Sequence, residues 1–226
     1  MIFFKNDALN KINNWNDDSI HVLTDFDRTI TVGNSDSSWS ILSKSELVPK
    51  EYVLERQQLY NYYRPIEIDE SLDCDTKNKL MSEWWNKHIN LLVKYKLSET
   101  VINEAARNIR VMSFRDGAKE FLENMKDRGI PIIIISAGIG NFIQQFLIKN
   151  ECNFSNIFIV SNFIKFENGT AVGISENIIH SLNKNEVSLS DSIKTIIKNR
   201  PNVILLGDSI ADIKMAQEKD RDNAFK

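Results

Sequence analysis

Residues 24 to 29 read Thr-Asp-Phe-Asp-Arg-Thr, directly after the apolar run His21-Val22-Leu23. A strand that ends in two carboxylates at i and i+2, with a threonine following, is a signature of phosphate chemistry. In a strand those two positions share a face, so Asp25 and Asp27 can converge on one point while Phe26 turns into the core. At the C-terminal edge of a parallel sheet, that point is where ligands bind. Two carboxylates held together repel each other, and a hard divalent cation such as Mg2+ offsets the repulsion through oxygen ligands. The plain alternative is an ordinary acidic turn between a strand and a loop.

Three further pieces follow in order. Residues 130 to 140, Ile-Pro-Ile-Ile-Ile-Ile-Ser-Ala-Gly-Ile-Gly, read as a fully buried strand entering a small-residue turn. Ser136 and the N–H of Ala137 would point at whatever sits on the strand end. Lys184 closes His-Ser-Leu-Asn-Lys, and Asn202-Val-Ile-Leu-Leu-Gly-Asp-Ser209 is a second buried strand that ends in Asp208, with Asp212 four residues on. Each has its own structural explanation: a core strand with its turn, a surface lysine, a strand followed by an Asp helix cap. The ordered set is hard to ascribe to chance.

Between these pieces the pattern changes twice. An amphipathic pattern over 5–16 (Ala8, Leu9, Ile12, Trp15) precedes the first strand. From about 32 to 112 there is no strand-like run; 51–63, 77–95 and 99–111 show helical spacing, as in Trp84, His88, Leu91, Leu92 and Tyr95. Beyond Ser113-Phe-Arg-Asp-Gly117, helix and buried strand alternate: helix 116–128, strand 131–135, helix 140–150, strand 157–161. A hairpin over 162–173 turns at Asn168-Gly169, and helix 189–199, strand 203–207 and a short helix from about 210 complete the chain. The expectation is an α/β, doubly wound, Rossmann-like parallel sheet with an inserted helical bundle. The core would comprise 1–31 and 113–226, and the insert 32–112.

Composition excludes several functions. A formal net charge of only −3 gives no general field for nucleic acid, so an anionic substrate must be held by local groups. Cys74 and Cys152 are too few for a disulfide framework, no run reaches the length of a membrane span, and the start lacks a signal-peptide core. The expectation is a cytoplasmic monomer that acts on a small molecule and engages neither a membrane nor a nucleic-acid polymer.

The set Asp-Phe-Asp-Arg-Thr, Ser136, Lys184 and Gly-Asp-Ser-Ile-Ala-Asp resembles the haloacid-dehalogenase-like phosphohydrolases (HAD-like). Longer stretches narrow the resemblance to the cytosolic pyrimidine 5'-nucleotidases, also described as nucleotidases of the methylated cap nucleotide. They are Ile-Ser-Ala-Gly-Ile-Gly, Val-Ser-Asn-Phe, Ile-His-Ser-Leu-Asn-Lys and, in the insert, Ile-Glu-Ile-Asp and Glu-Trp-Trp. The likeness covers about residue 20 to the end, and implies that the insert is a cap closing over the site.

It also implies roles. Asp25 would be the nucleophile and Asp27 the general acid and base. Mg2+ would be held by the Asp25 and Asp208 carboxylates and the Asp27 carbonyl. Ser136, the Ala137 N–H and Lys184 would bind the phosphoryl oxygens. Asp212 would position metal-bound water or Lys184, or stabilise a helix N-terminus. Glu67 would accept hydrogen bonds from the base, and Trp84 or Trp85 would stack on it. Adjacent helical residues lie about 100° apart, so at least one of the two belongs to the core. His88 departs from the family's usual Ser. A second departure is that only fourteen residues follow Asp212, where the family continues with a further strand and helix. The implied activity is hydrolysis of nucleoside 5'-monophosphates (UMP, CMP, N7-methyl-GMP). The alternatives are a phosphatase of another small metabolite, such as phosphoserine, or an inactive member that binds nucleotides.

Overall fold

The computed structural model describes residues 14–107, 112–174, 177–185 and 189–216. Six strands appear among them: β1 (Ile20–Thr24), β2 (Ile132–Ile139), β3 (Ile157–Asn162), β4 (Ile164–Glu167), β5 (Thr170–Ile174) and β6 (Asn202–Leu206). Four form a parallel sheet in the order β3-β2-β1-β6. Val22 stands opposite both Ile132 and Ile204, and Thr24 opposite both Ile134 and Leu206.

Alternation along the strands divides the core in two. Ile20, Val22, Ile132 and Ile134 enter one cluster, while Leu23, Ile133, Ile135, Val203 and Leu205 enter the other. Both faces are covered, so β1 and β2 are continuous apolar runs rather than alternating ones. The first face packs on α5 (Ala118–Asp127) through Leu122 and Met125, and on α6 (Gly140–Lys149) through Phe142 and Phe146. The second packs on Ile197 of α7 (Asp191–Ile197) and on Met215 of a terminal 3-10 turn, Ile210–Met215. Each of these side chains contributes about 1.5–3 kcal/mol by its burial.

The chain winds from β1 through β2 to β3 on one side, and β6 lies on the other. This reversal at β1 opens a crevice beyond the carboxyl ends of β1 and β6, where open α/β sheets bind their ligands.

Between β1 and β2 lie α1 (Ser38–Lys44), α2 (Lys50–Ile68), α3 (Cys74–Lys94) and α4 (Glu99–Arg107). Asp73 caps α3 by accepting the Thr76 N–H at 2.9 Å. Leu42, Tyr52, Leu92 and Ile102 of these helices join the same cluster as the first sheet face, while Tyr63, Met81 and Trp84 form a smaller one.

The sequence patterns missed α1, because its seven residues are too few to establish a period. Of the amphipathic stretch expected over 5–16, residues 5–13 lie outside the described residues. Asn14–Asn16 are not helical; Asn16 instead caps a 3-10 turn, Asp17–Ser19. The expected end of α4, residues 108–111, also lies outside the described residues. The hairpin β4–β5 turns where expected, with φ of 49° at Asn168 and 73° at Gly169. Two positive φ values in succession match the twist of a two-residue hairpin.

Candidate active site

The strand ends place the acids. Asp25 leaves β1 with its N–H bonded to the Leu206 carbonyl at 3.0 Å, so it lies beside the exit of β6, where Asp208 follows. Carboxylate oxygens of Asp25, Asp208 and Asp212 lie within 4.8 Å of one another. Lys184 reaches into this group, donating to Asp25 Oδ1 at 2.5 Å and to Asp212 Oδ1 at 3.2 Å. The other Asp212 oxygen accepts the Ser209 N–H at 3.0 Å and completes a reciprocal cap on the terminal 3-10 turn. Asp212 thus both holds Lys184 and stabilises a helix start. Gly207 makes this approach possible, because a Cβ there would stand 2.5 Å from the Asp212 Cβ.

Burial sets the proton affinities. Removal from water pushes the Asp25 carboxyl up to about 6, against the pull of the Lys184 ammonium. Burial and the adjacent Asp25 charge push Asp27 up to about 7. Asp27 Oδ1 is buried and has no hydrogen-bond partner among the described residues. For Lys184, burial alone would favour the neutral amine, but the Asp25 and Asp212 charges outweigh it and the ammonium is retained.

The turn at the end of β2 is crowded. Ser136 Oγ accepts the Gly138 N–H at 3.1 Å, which leaves its hydroxyl hydrogen for another acceptor. Ser38 Oγ, from α1, accepts the Ile139 N–H at 2.8 Å. A Cβ on Gly138 would stand 2.6 Å from Ser38 Oγ, 3.2 Å from Ser136 Oγ and 3.3 Å from Asp27 Oδ2, so glycine lets three polar groups converge. The Ala137 carbonyl accepts three donors: Trp39 Nε1 at 3.1 Å, Trp85 Nε1 at 2.9 Å and Asn162 Nδ2 at 3.0 Å. Two of them come from the helices between β1 and β2, so these helices are bonded directly to the turn.

A cavity of about 470 Å³ lies between the strand ends and the helices. Asp25, Asp27, Asp208, Ser136, Ala137 and Lys184 line it from the sheet side. Glu67, Trp84, Trp85 and His88 line it from the helix side. Of the residues singled out in the sequence, Asp212 alone is not part of the lining, and it acts on the cavity through Lys184.

The helix side differs in detail from expectation. Glu67 is ion-paired with Arg64, one turn earlier on α2. Trp84 is buried and stacks on Tyr63, with ring centres 5.7 Å apart and planes 13° apart, in a small cluster with Met81. Trp85 is partly exposed and lies nearly parallel to His88, with ring centres at 6.5 Å. His88 is buried with its edge against Trp39, and burial pulls its pKa down to about 3, so the ring is neutral.

Sequence reasoning missed Trp39, Arg56, Arg64 and Asn162. Arg56, Tyr60 and Glu67 follow one helical face at i, i+4 and i+11, a signal that was available. Trp39 sits on a helix too short to show a period. Asn162 lay in a stretch already noted, but its bonds to the carbonyls of Ala137, Gly138 and Ile179 depend on tertiary packing.

A family model described as pyrimidine 5'-nucleotidase (UMPH-1) matches residues 13–225. The 7-methylguanosine phosphate-specific 5'-nucleotidase of Homo sapiens is 35% identical over 206 residues, covering 88% of this chain and 68% of that protein. The Drosophila melanogaster protein of the same name is 32% identical over 205 residues, covering 87% of this chain and 64% of its own length. The chain therefore spans about two thirds of these curated relatives. The crystal structure of cytosolic 5'-nucleotidase IIIB bound to cytidine is similar over 93% of this chain and 73% of that one, with a TM-score of 0.84 and 31% identity.

Proposed function

Since this chain belongs to the pyrimidine 5'-nucleotidase family, we propose that it hydrolyses nucleoside 5'-monophosphates to nucleoside and phosphate. The observation that carries this reading is the joining of two unlike walls in one cavity. Asp25, Asp27, Ser136 and Lys184 stand on one side, and an aromatic wall with Glu67 stands on the other. A phosphate ester fits the first wall and a flat base the second. The similarity to a nucleotidase whose crystal structure holds cytidine supports a nucleoside as the ligand.

In this reading the Asp25 carboxylate attacks phosphorus in line. The phosphorus–oxygen bond to the nucleoside breaks as Asp27 gives its proton to the leaving oxygen. Asp27 then takes a proton from water, which attacks the aspartyl phosphate and frees phosphate and Asp25. A carboxyl held at about 7 suits both directions of that transfer. The Ser136 hydroxyl, the Ala137 N–H and the Lys184 ammonium would hold the phosphoryl oxygens.

The donor set fits a hard divalent cation such as Mg2+. The Asp25 and Asp208 carboxylates and the Asp27 carbonyl would hold it, whereas Asp212 is already engaged by Lys184 and the Ser209 N–H. When bound, it would offset the negative charge gathered on the acids and the phosphoryl group. Residues 32–112 act as the cap, and Trp39 and Trp85 hold it to the Ala137 carbonyl.

Phosphate release from UMP, CMP, N7-methyl-GMP, AMP and phosphoserine, each with Mg2+ or with chelator, tests the proposal. Release from the first three with Mg2+, abolished by the chelator, is the expected result. A preference for phosphoserine, or no release from any nucleotide, would overturn it.

A further inference from the structure

Arg56 is the anomaly of the cavity. It is 9% exposed, and it makes no hydrogen bond or ion pair with any described residue. Its guanidinium lies 5.8 Å from the centre of the Tyr60 ring. Two neighbouring polar atoms share its condition. Trp84 Nε1 and His88 Nε2 are buried without partners, on residues 5% and 6% exposed that line the same cavity. The other cations of the lining differ: Lys184 is bonded to Asp25 and Asp212, Arg64 to Glu67, and Lys44 to Asp36, while Arg28 is exposed.

The buried Arg56 Nε–H without an acceptor is unfavourable, so a ligand that brings an oxygen to it gains from the contact. The phosphoryl oxygens belong to the sheet side, at Ser136 and Lys184. Outside the phosphate, the oxygens that a nucleotide can offer are those of the sugar and the carbonyls of the base. Tyr60, Trp84 and Trp85 around Arg56 suit a flat ring rather than a sugar. Glu67, the acceptor on this side, is already engaged by Arg64.

We propose that Arg56, with Trp84 and His88 beside it, reads a carbonyl oxygen of the nucleobase and selects 5'-monophosphates of keto bases. This deepens the proposed function and rests on it. Uracil, cytosine and N7-methylguanine each present a carbonyl, and adenine presents none. Arg56 is thus a specificity-determining residue, and AMP is disfavoured because, having no carbonyl oxygen, it gains nothing from this contact.

The test compares kcat/KM of wild type, Arg56→Lys and Arg56→Met on UMP, AMP, ribose 5-phosphate and uridine 3',5'-bisphosphate, with Mg2+ present. Arg56→Met should lower the value for UMP by roughly ten- to a hundredfold, and change those for AMP and ribose 5-phosphate by no more than about twofold. Arg56→Lys should fall between. An equal loss on ribose 5-phosphate, or no loss on UMP, would overturn the proposal. A loss confined to uridine 3',5'-bisphosphate would also overturn it, because Arg56 would then bind a second anion. If Arg56→Met does not fold, the Arg56 Nε resonance of wild type answers: it should shift on titration with uridine and not with adenosine, and no shift with uridine would overturn the proposal. Wild type that releases phosphate from no nucleotide would fail the parent reading instead, while the uridine titration still reports on Arg56.

Discussion

On the sheet side of the cavity the phosphate-binding groups are engaged with their neighbours, although Asp27 Oδ1 has no partner among the described residues. Lys184 bonds to Asp25 and Asp212, Asp212 accepts the Ser209 N–H, and Ser136 accepts the Gly138 N–H. On the helix side, Arg56, Trp84 and His88 carry buried donor or acceptor atoms with no partner among the described residues. The first wall is organised before a substrate arrives, as electrostatic catalysis requires, because groups that must reorient lose their advantage. The second is satisfied only by a ligand, and that is how a pocket discriminates: an analogue that lacks the right atom leaves a buried group unpaired. Substitutions on the two walls should accordingly fail in different ways.

The largest expected effect is on the sheet side. Asp25→Asn should reduce phosphate release from UMP and from p-nitrophenyl phosphate alike to background, because an amide is a poor nucleophile toward phosphorus. Steady-state turnover near wild type in that variant would remove Asp25 from the role. Asp27→Asn should slow both substrates by roughly 10²–10⁴-fold, the usual contribution of a positioned proton donor. A selective loss on UMP there would erase the distinction between the walls.

A helix-side substitution should act on one substrate only. Glu67→Ala should lower kcat/KM for UMP by roughly ten- to a hundredfold, and leave p-nitrophenyl phosphate nearly unchanged. Equal losses would mean that Glu67, with its Arg64 partner, supports the helix rather than reading a base.

A further effect is on stability. His88 is neutral in the fold with a pKa of about 3, against about 6.5 when unfolded, so the unfolded chain binds the extra proton between those values. Stability should therefore fall as pH is lowered through 6.5, by about 2–3 kcal/mol from this residue between pH 7 and 4.5. Urea unfolding of His88→Gln over that range should show a flatter loss than wild type. A parallel pair of curves would mean that His88 is not buried neutral.

The sheet side was legible in the sequence and the helix side only partly so. Asp25, Asp27, Ser136 and Asp208 sit where an apolar strand run stops, so chain order alone delivers them to one edge. Lys184 joined them through a family stretch rather than through any local pattern. On the helix side, the pairing of Arg64 with Glu67 was readable in principle, since i and i+3 are neighbours on a helix. The unpaired state of Arg56 was not readable, because it depends on which residues α1 and α3 bring against α2. The three donors on the Ala137 carbonyl depend likewise on α1, α3 and β3 meeting at one atom. Burial by distant segments leaves no local period to detect.

The division between the walls can be read most directly from wild type alone, by comparing kcat/KM for UMP with that for ribose 5-phosphate, the same ester without the base. Chemistry on the sheet side with selection on the helix side requires both to be hydrolysed, with UMP favoured by roughly tenfold or more. Equal values for the two would contradict it, since the helix side would then contribute nothing to the choice of substrate.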